Sequence, residues 1–253
     1  MNLKLIACEV LAREVEDCVA RSPNQVDVTL LRFGLHDVGA AEMSKKLQEE
    51  IDRAEESNRC DAIALGYGLC NNGTAGLGAR TLRLALPRAH DCITMLLGSR
   101  RRYREEFEAE PGTYWLSSGW IERHESEKGD LSIQNRMGLG LAREELVEKY
   151  GEENAEYIME TLQSQVHYTR LALVDTGLGD IEAYRAEARE RAANRGWRFE
   201  EIKGDTALLG RLVDGLWDLA DFLVLEPGER VKPVYDYDEV ASAEGSGKGE
   251  PDA

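Results

Sequence analysis

The chain has 253 residues, 42% hydrophobic and 31% charged, with 31 Lys and Arg against 48 Asp and Glu and a formal net charge of −17. A chain this acidic repels phosphate, so nucleic acid and membrane surfaces are not expected partners. No apolar run approaches the length of a membrane span, and MNLKLIACEV at the start lacks the apolar region and cleavage site of a signal peptide, so a cytoplasmic protein is expected.

The opening residues, Leu3 to Val10, read as a first strand followed by a helical pattern from Leu11 to Ala20. VDVTLLRF, Val26 to Phe33, alternates and is β-branched at its start, which predicts a second strand. Met43, Leu47 and Ile51 recur at four-residue spacing and predict an amphipathic helix from Gly39 to Glu56. Asp61 to Gly68 reads as a buried strand, Ala75 to Thr81 as a short helix, and RLALP and CITMLLG as two more strands. After a charged helix before Pro111, Thr113 to Glu122 reads as a strand. The polar stretch 124–166 predicts a helical insertion or bridge. A second alternation then follows: strand RLALVDTG, a helix capped by Asp180 and ending at Gly196, strand WRFEEIKGD, helix TALLGRLVDGLW and strand DFLVLEPGE, whose Phe222 and Trp217 are read as packing.

This order predicts an α/β protein with a mostly parallel sheet and flanking helices. The expected portions are 1–123, 124–166, 167–234 and an acidic, disordered tail at 235–253. The two α/β portions fit either one sheet or two Rossmann-like lobes.

Five cysteines, Cys8, Cys18, Cys60, Cys70 and Cys92, make an odd number and argue against a disulfide framework. Cys18 and Cys60 read as core. The other three follow strands: Cys8 ends the first, Cys70 lies in GYGLCNNG, and Cys92 lies in PRAHDCI beside His90 and Asp91. His36 follows the second strand. Four segments thus bring Cys or His to one edge of a parallel sheet, where ligands commonly bind. Thiolates and imidazole suit zinc, and three thiolates can anchor an iron–sulfur cluster. The expected metal ligands are Cys8, Cys70, Cys92 and His90. His36 and His90 are candidate acid–base groups, and Asp91 is a candidate partner for an imidazole. The metal-free alternative makes Cys70 or Cys92 a nucleophile with His90 as base.

In LLGSRRRY, Ser99 reads as the cap of a helix, and Ser99 with Arg100 forms a candidate anion site. Asn71 and Asn72 in the Gly-rich turn are candidate substrate contacts, because Asn tolerates the left-handed backbone that lets a ligand approach closely. Tyr114, Trp115 and Trp120 read as core or as a lid.

IACEVL at Ile6 to Leu11, His36, GYGLCNNG, PRAHDCI, LLGSRRRY, PGTYWLSSGW, GWRFEEIKGD and GLWDLADFLVLEPGE together resemble a prokaryotic family catalogued as domain of unknown function 1638. The resemblance implies a place near anaerobic methylated-amine and corrinoid methyl-transfer metabolism. The chain contains no D-x-H-x-x-G corrinoid motif. Two expectations follow. One is a metal-dependent enzyme, with zinc or an iron–sulfur cluster, acting on a small anionic or methylated substrate. The other is an accessory protein that serves a corrinoid protein or a methyltransferase.

Overall fold

The computed structural model describes residues 1–35, 39–124, 152, 168–234 and 239–245. His36 and nearly all of the expected insertion at 124–166 lie outside these residues. The elements are β1 (Asn2–Cys8), a 3-10 turn (Glu9–Leu11), α1 (Ala12–Arg21), β2 (Gln25–Leu31), α2 (Ala40–Ser57), β3 (Ala62–Gly66), β4 (Arg83–Pro87), α3 (Cys92–Leu96) and α4 (Arg100–Ala109). They continue with β5 (Thr113–Ser117), α5 (Ser118–His124), β6 (Arg170–Asp175), α6 (Ile181–Asn194), β7 (Arg198–Lys203), α7 (Ala207–Asp214), β8 (Phe222–Leu225), β9 (Arg230–Pro233) and β10 (Ala241–Glu244).

The strands form two α/β sheets rather than one. The larger has the order β2-β1-β3-β4-β8, the smaller β5-β6-β7, and β9 pairs with β10. All pairs in the first two sheets are parallel except β4 with β8. Parallel sheets are covered on both faces, and the central strands show it: Leu5, Ile6, Ile63, Ala64, Leu84 and Ala85 are fully buried. In β6 the faces divide by the period of two. Leu171 and Leu173 join a small apolar cluster with Leu116, Tyr184 and Ala188. Ala172 and Val174 join the main core under the larger sheet. The two sheets therefore share one core.

Four expectations need correction. CITML is a helix, α3, because the Asp91 carboxylate accepts from the backbone N–H groups of Ile93 and Thr94 and starts a helical turn. Ala75 to Thr81 is a turn followed by irregular chain, and buried Glu55 accepts from the N–H groups of Arg80 (2.8 Å) and Thr81 (2.6 Å), which diverts them from a helical ladder. The strand at Thr113 ends at Ser117 and turns directly into α5. Within the expected tail, residues 241–244 pair antiparallel with β9.

The smaller sheet reaches the larger one through α5, which packs on the turn after β1. Arg13 donates to Glu122 at 2.8 and 2.6 Å, and Arg123 donates to Glu9 at 2.6 Å. Glu9 also accepts from the Phe33 N–H at 3.1 Å, tying in the segment after β2. Between these contacts lies Glu14, 1% exposed, which accepts from Thr176 Oγ1 at 2.7 Å and Ser118 Oγ at 3.4 Å. Its Oε2 has no hydrogen-bond partner.

Burial pushes the Glu14 carboxyl above its ordinary value, against the pull of Thr176 and Ser118. A raised folded-state pKa means that this group's stabilising contribution is complete below the unfolded value, near 4.3, and is lost as pH rises through the folded value. Glu14→Gln, which keeps the uncharged form, is expected to be more stable than the wild type at neutral pH. The gap should close as pH falls toward the unfolded value. Urea unfolding at both pH values checks this, and a variant that is weaker at both would show that the carboxylate is held charged.

Candidate functional site

The C-terminal edge of the larger sheet carries the unusual residues. Cys8 is the last residue of β1, Cys70 lies four residues past the end of β3, and Cys92 is the first residue of α3, just after β4. Two backbone hydrogen bonds join the loops that hold Cys70 and Cys92: Leu69 N–H to Ala89 O at 2.8 Å, and Cys70 N–H to His90 O at 2.9 Å. Gly68 makes this approach possible, since a Cβ there would stand 2.7 Å from both Ala89 O and Asp91 N. Cys70, Asn71 and Asn72 then run through three left-handed conformations, with φ of 44°, 58° and 63°. Asn tolerates this conformation, whereas for Cys70 it costs roughly 1–2 kcal/mol, and such strain tends to collect at functional sites. Thr74 Oγ1 donates to Gly68 O at 3.2 Å and closes the loop.

Cys8, Cys70 and Cys92 line one cavity. Its other walls are apolar and come from every side: Phe33 after β2, Met43 from α2, Met95 from α3 and Trp120 from α5. Cys8 is buried, and Cys70 and Cys92 are half-buried. Burial pushes the Cys70 thiol well up, reinforced by Asp91 and Cys8. Burial does the same to Cys92, with Asp91, Cys70 and Cys8 adding to it and a hydrogen bond from the Trp120 side chain opposing it. The three thiols are thus close enough that charge on one disfavours charge on the next. None of the five cysteines forms a disulfide, and Cys18 is buried in the core as expected.

Tyr67 is a residue that the sequence did not single out. It is 2% exposed and lines the same cavity. Burial pushes its hydroxyl up, with Cys8 and Cys70 adding to the effect. No period or spacing marks a tyrosine between two glycines, so only the three-dimensional cavity reveals it.

The remaining candidates sit elsewhere. His90 does not line the cavity; its ring stacks on Tyr103 with centroids 6.1 Å apart. Burial, with Arg100 and Arg104 nearby, lowers its pKa against the pull of Asp91. Asp91 caps α3 and accepts from the Tyr103 hydroxyl at 3.0 Å, so its carboxylate is already engaged. Ser99 caps α4 by accepting from Arg102 N–H. Arg100 donates to the Ala220 carbonyl and lies 3.9 Å from Asp221. Ser99 and Arg100 are therefore tied to their own surroundings. Asn71 and Asn72 are exposed in the turn.

Among the described residues, no three His, Cys, Asp or Glu side chains are grouped tightly enough to hold a metal ion as they stand. Nor is any helix there long and apolar enough to cross a membrane.

A family model described as protein of unknown function, DUF1638, matches residues 30–213. The match covers Cys70, Cys92 and Tyr67, while Cys8 lies before it. No curated protein and no solved structure matches the chain. The model spans well over half of the sequence, and the chain belongs to the DUF1638 family.

Proposed function

We propose that this DUF1638 protein is a metal-dependent enzyme whose centre is held by the thiolates of Cys8, Cys70 and Cys92, and that it acts on a small methylated compound in anaerobic, corrinoid-linked one-carbon metabolism. One observation carries the proposal: three cysteines from three separate segments line a single cavity at the C-terminal edge of a parallel sheet.

The donor set fits a thiolate-bound centre. Buried thiolates without a cation are costly, and among the described residues the walls supply no Lys or Arg to offset them. Thiolates suit either zinc or an iron–sulfur cluster, which three cysteines can anchor. Bound there, such a centre would be held by Cys8, Cys70 and Cys92 and would supply Lewis-acid or redox chemistry to a substrate.

The protein's own part is orientation and the exclusion of water. The loop bonds fix Cys70 beside Cys92, Trp120 supports the Cys92 sulfur, and Phe33, Met43 and Met95 keep the cavity apolar.

Differential alkylation tests the proposal. Cys8, Cys70 and Cys92 should resist iodoacetamide in anaerobically purified protein and gain label together after chelation and oxidation of the centre. Cys18 and Cys60 should change little. Equal labelling of Cys70 before and after would contradict the metal centre.

A further inference from the structure

β2 ends the larger sheet, and among the described residues only β1 pairs with it. Its other side can be read residue by residue. The Gln25 N–H bonds to Met1 O at 3.1 Å, so Gln25 turns its backbone groups toward β1. These groups alternate sides along a strand. Gln25, Asp27, Thr29 and Leu31 therefore face β1, and Val26, Val28 and Leu30 present their N–H and C=O groups away from the sheet. Such a row is a template for another strand.

Other edges are protected. In β7, Arg198, Glu200, Glu201 and Lys203 are charged. β8 is short, Phe222–Leu225, and β10 lies against it. β2 is longer, has no proline, and carries one charge, Asp27, which Lys4 already holds at 2.9 Å.

The order of its residues says which strand fits. An antiparallel partner must set one outward-facing residue opposite another, so that the two exchange hydrogen bonds. A second copy of β2 does this about a two-fold axis at Val28. Val28 meets Val28 of the partner subunit, and Val26 meets Leu30 of the partner subunit. These side chains are half-buried at the edge, and paired in this way they cover one another. On the opposite face Asp27 comes to lie across from Thr29 of the partner subunit. With the axis at Asp27 instead, two carboxylates would stand face to face, which is unfavourable. The strand is thus complementary to itself, as a two-fold interface requires. A strand from an unrelated chain has no need of that symmetry.

We propose that β2 is a dimerisation edge, and that two copies of this chain join their larger sheets into one continuous sheet by antiparallel pairing of Gln25–Leu31 about Val28. The proposal is independent of the metal centre.

Light scattering after size exclusion, over a range of concentrations, tests it on the full chain. Moderate salt screens the net charge of −17 on each copy. The wild type should be a dimer. Val28→Pro removes an outward N–H at the axis and leaves the bonds to β1 in place, a position that an edge strand tolerates. It should be a monomer. Thr29→Asp sets a second carboxylate across from Asp27 and should raise the dissociation constant at least tenfold. Thr29→Lys sets an ammonium there and should keep or tighten the dimer. Far-UV circular dichroism checks that each variant is folded, and the two Thr29 variants decide the matter if Val28→Pro is not. A wild type that is monomeric at every concentration, or a dimer that Thr29→Asp and Thr29→Lys affect alike, would overturn the proposal. Hydrogen exchange distinguishes other occupants of the edge. The Val26, Val28 and Leu30 amides should be protected only in the dimer, and protection that persists in a monomer would give the edge to another segment of this chain and sink the dimer.

Discussion

Gly119→Ala is expected to destabilise the protein by about 3 kcal/mol, at the upper end of what overpacking costs, and to abolish metal retention. Gly119 lies in α5, where alanine would ordinarily gain up to about 1 kcal/mol in helix propensity. Here a Cβ would stand 1.8 Å from the Val10 carbonyl oxygen and 2.7 Å from its carbon. Neither is a side-chain end that can swing away, so α5 must lift from the turn after β1. That turn directly follows Cys8, and α5 carries Trp120, which packs edge-on against Phe33 with centroids 5.7 Å apart. One methyl group thus pushes apart two walls of the cavity. Gly210→Ala in α7 is the control, because the nearest atom to its new Cβ is Cys18 Sγ at 4.0 Å. It should be neutral or stabilising. Urea unfolding of both variants checks the contrast, and a Gly119→Ala protein as stable as the wild type would show that α5 is not seated as described.

Gly68→Ala should cost about 2 kcal/mol and have the second large effect on the site. Its φ is not in the left-handed region, so the cause is proximity rather than backbone strain. The new Cβ would meet Ala89 O and Asp91 N at 2.7 Å, where the Cys70 and Cys92 loops are stitched together. Relief of that contact stretches the Leu69–Ala89 and Cys70–His90 bonds and separates two cysteines from one another. The expected signature is metal loss larger than the loss of stability would explain. Metal content measured at a temperature where the variant is still fully folded isolates that effect, and full retention there would mean the loop contact does not set the cysteine spacing.

Much of the architecture is legible in the sequence because period and punctuation agree. Leu5, Ile63 and Leu84 sit in short apolar runs flanked by turn residues, and Met43, Leu47 and Ile51 mark the buried face of α2. The gathering of Cys8, Cys70 and Cys92 at one edge follows from each lying at or just past a strand end, and needs no tertiary knowledge beyond a parallel sheet. What failed is informative in the same terms. CITML is short and apolar, so its period does not separate strand from buried helix. The deciding signal is Asp91, which the sequence offers as a partner for an imidazole and which in the structure caps the helix. Ala75 to Thr81 has helical composition, but the carboxylate that captures its N–H groups is Glu55, some 25 residues earlier. The antiparallel place of β8 beside β4 and the division into two sheets depend on long-range pairing that no local pattern encodes. His90 stands next to Cys92 in sequence, yet α3 begins between them and its ring turns to Tyr103. Tyr67 carried no signal at all, because its place beside the three cysteines exists only once the strands and loops have come together.

The central claim is that Cys8, Cys70 and Cys92 hold one metal centre. Metal and acid-labile sulfide measured together on anaerobically purified wild-type protein and on Cys8→Ser, Cys70→Ser and Cys92→Ser test it most directly. The account predicts bound metal in the wild type, as zinc alone or as iron with sulfide, and its loss in each variant while the far-UV circular dichroism stays unchanged. Sulfide present or absent tells the cluster from zinc. Wild-type protein that holds no metal, with all five thiols titrating, would contradict the account.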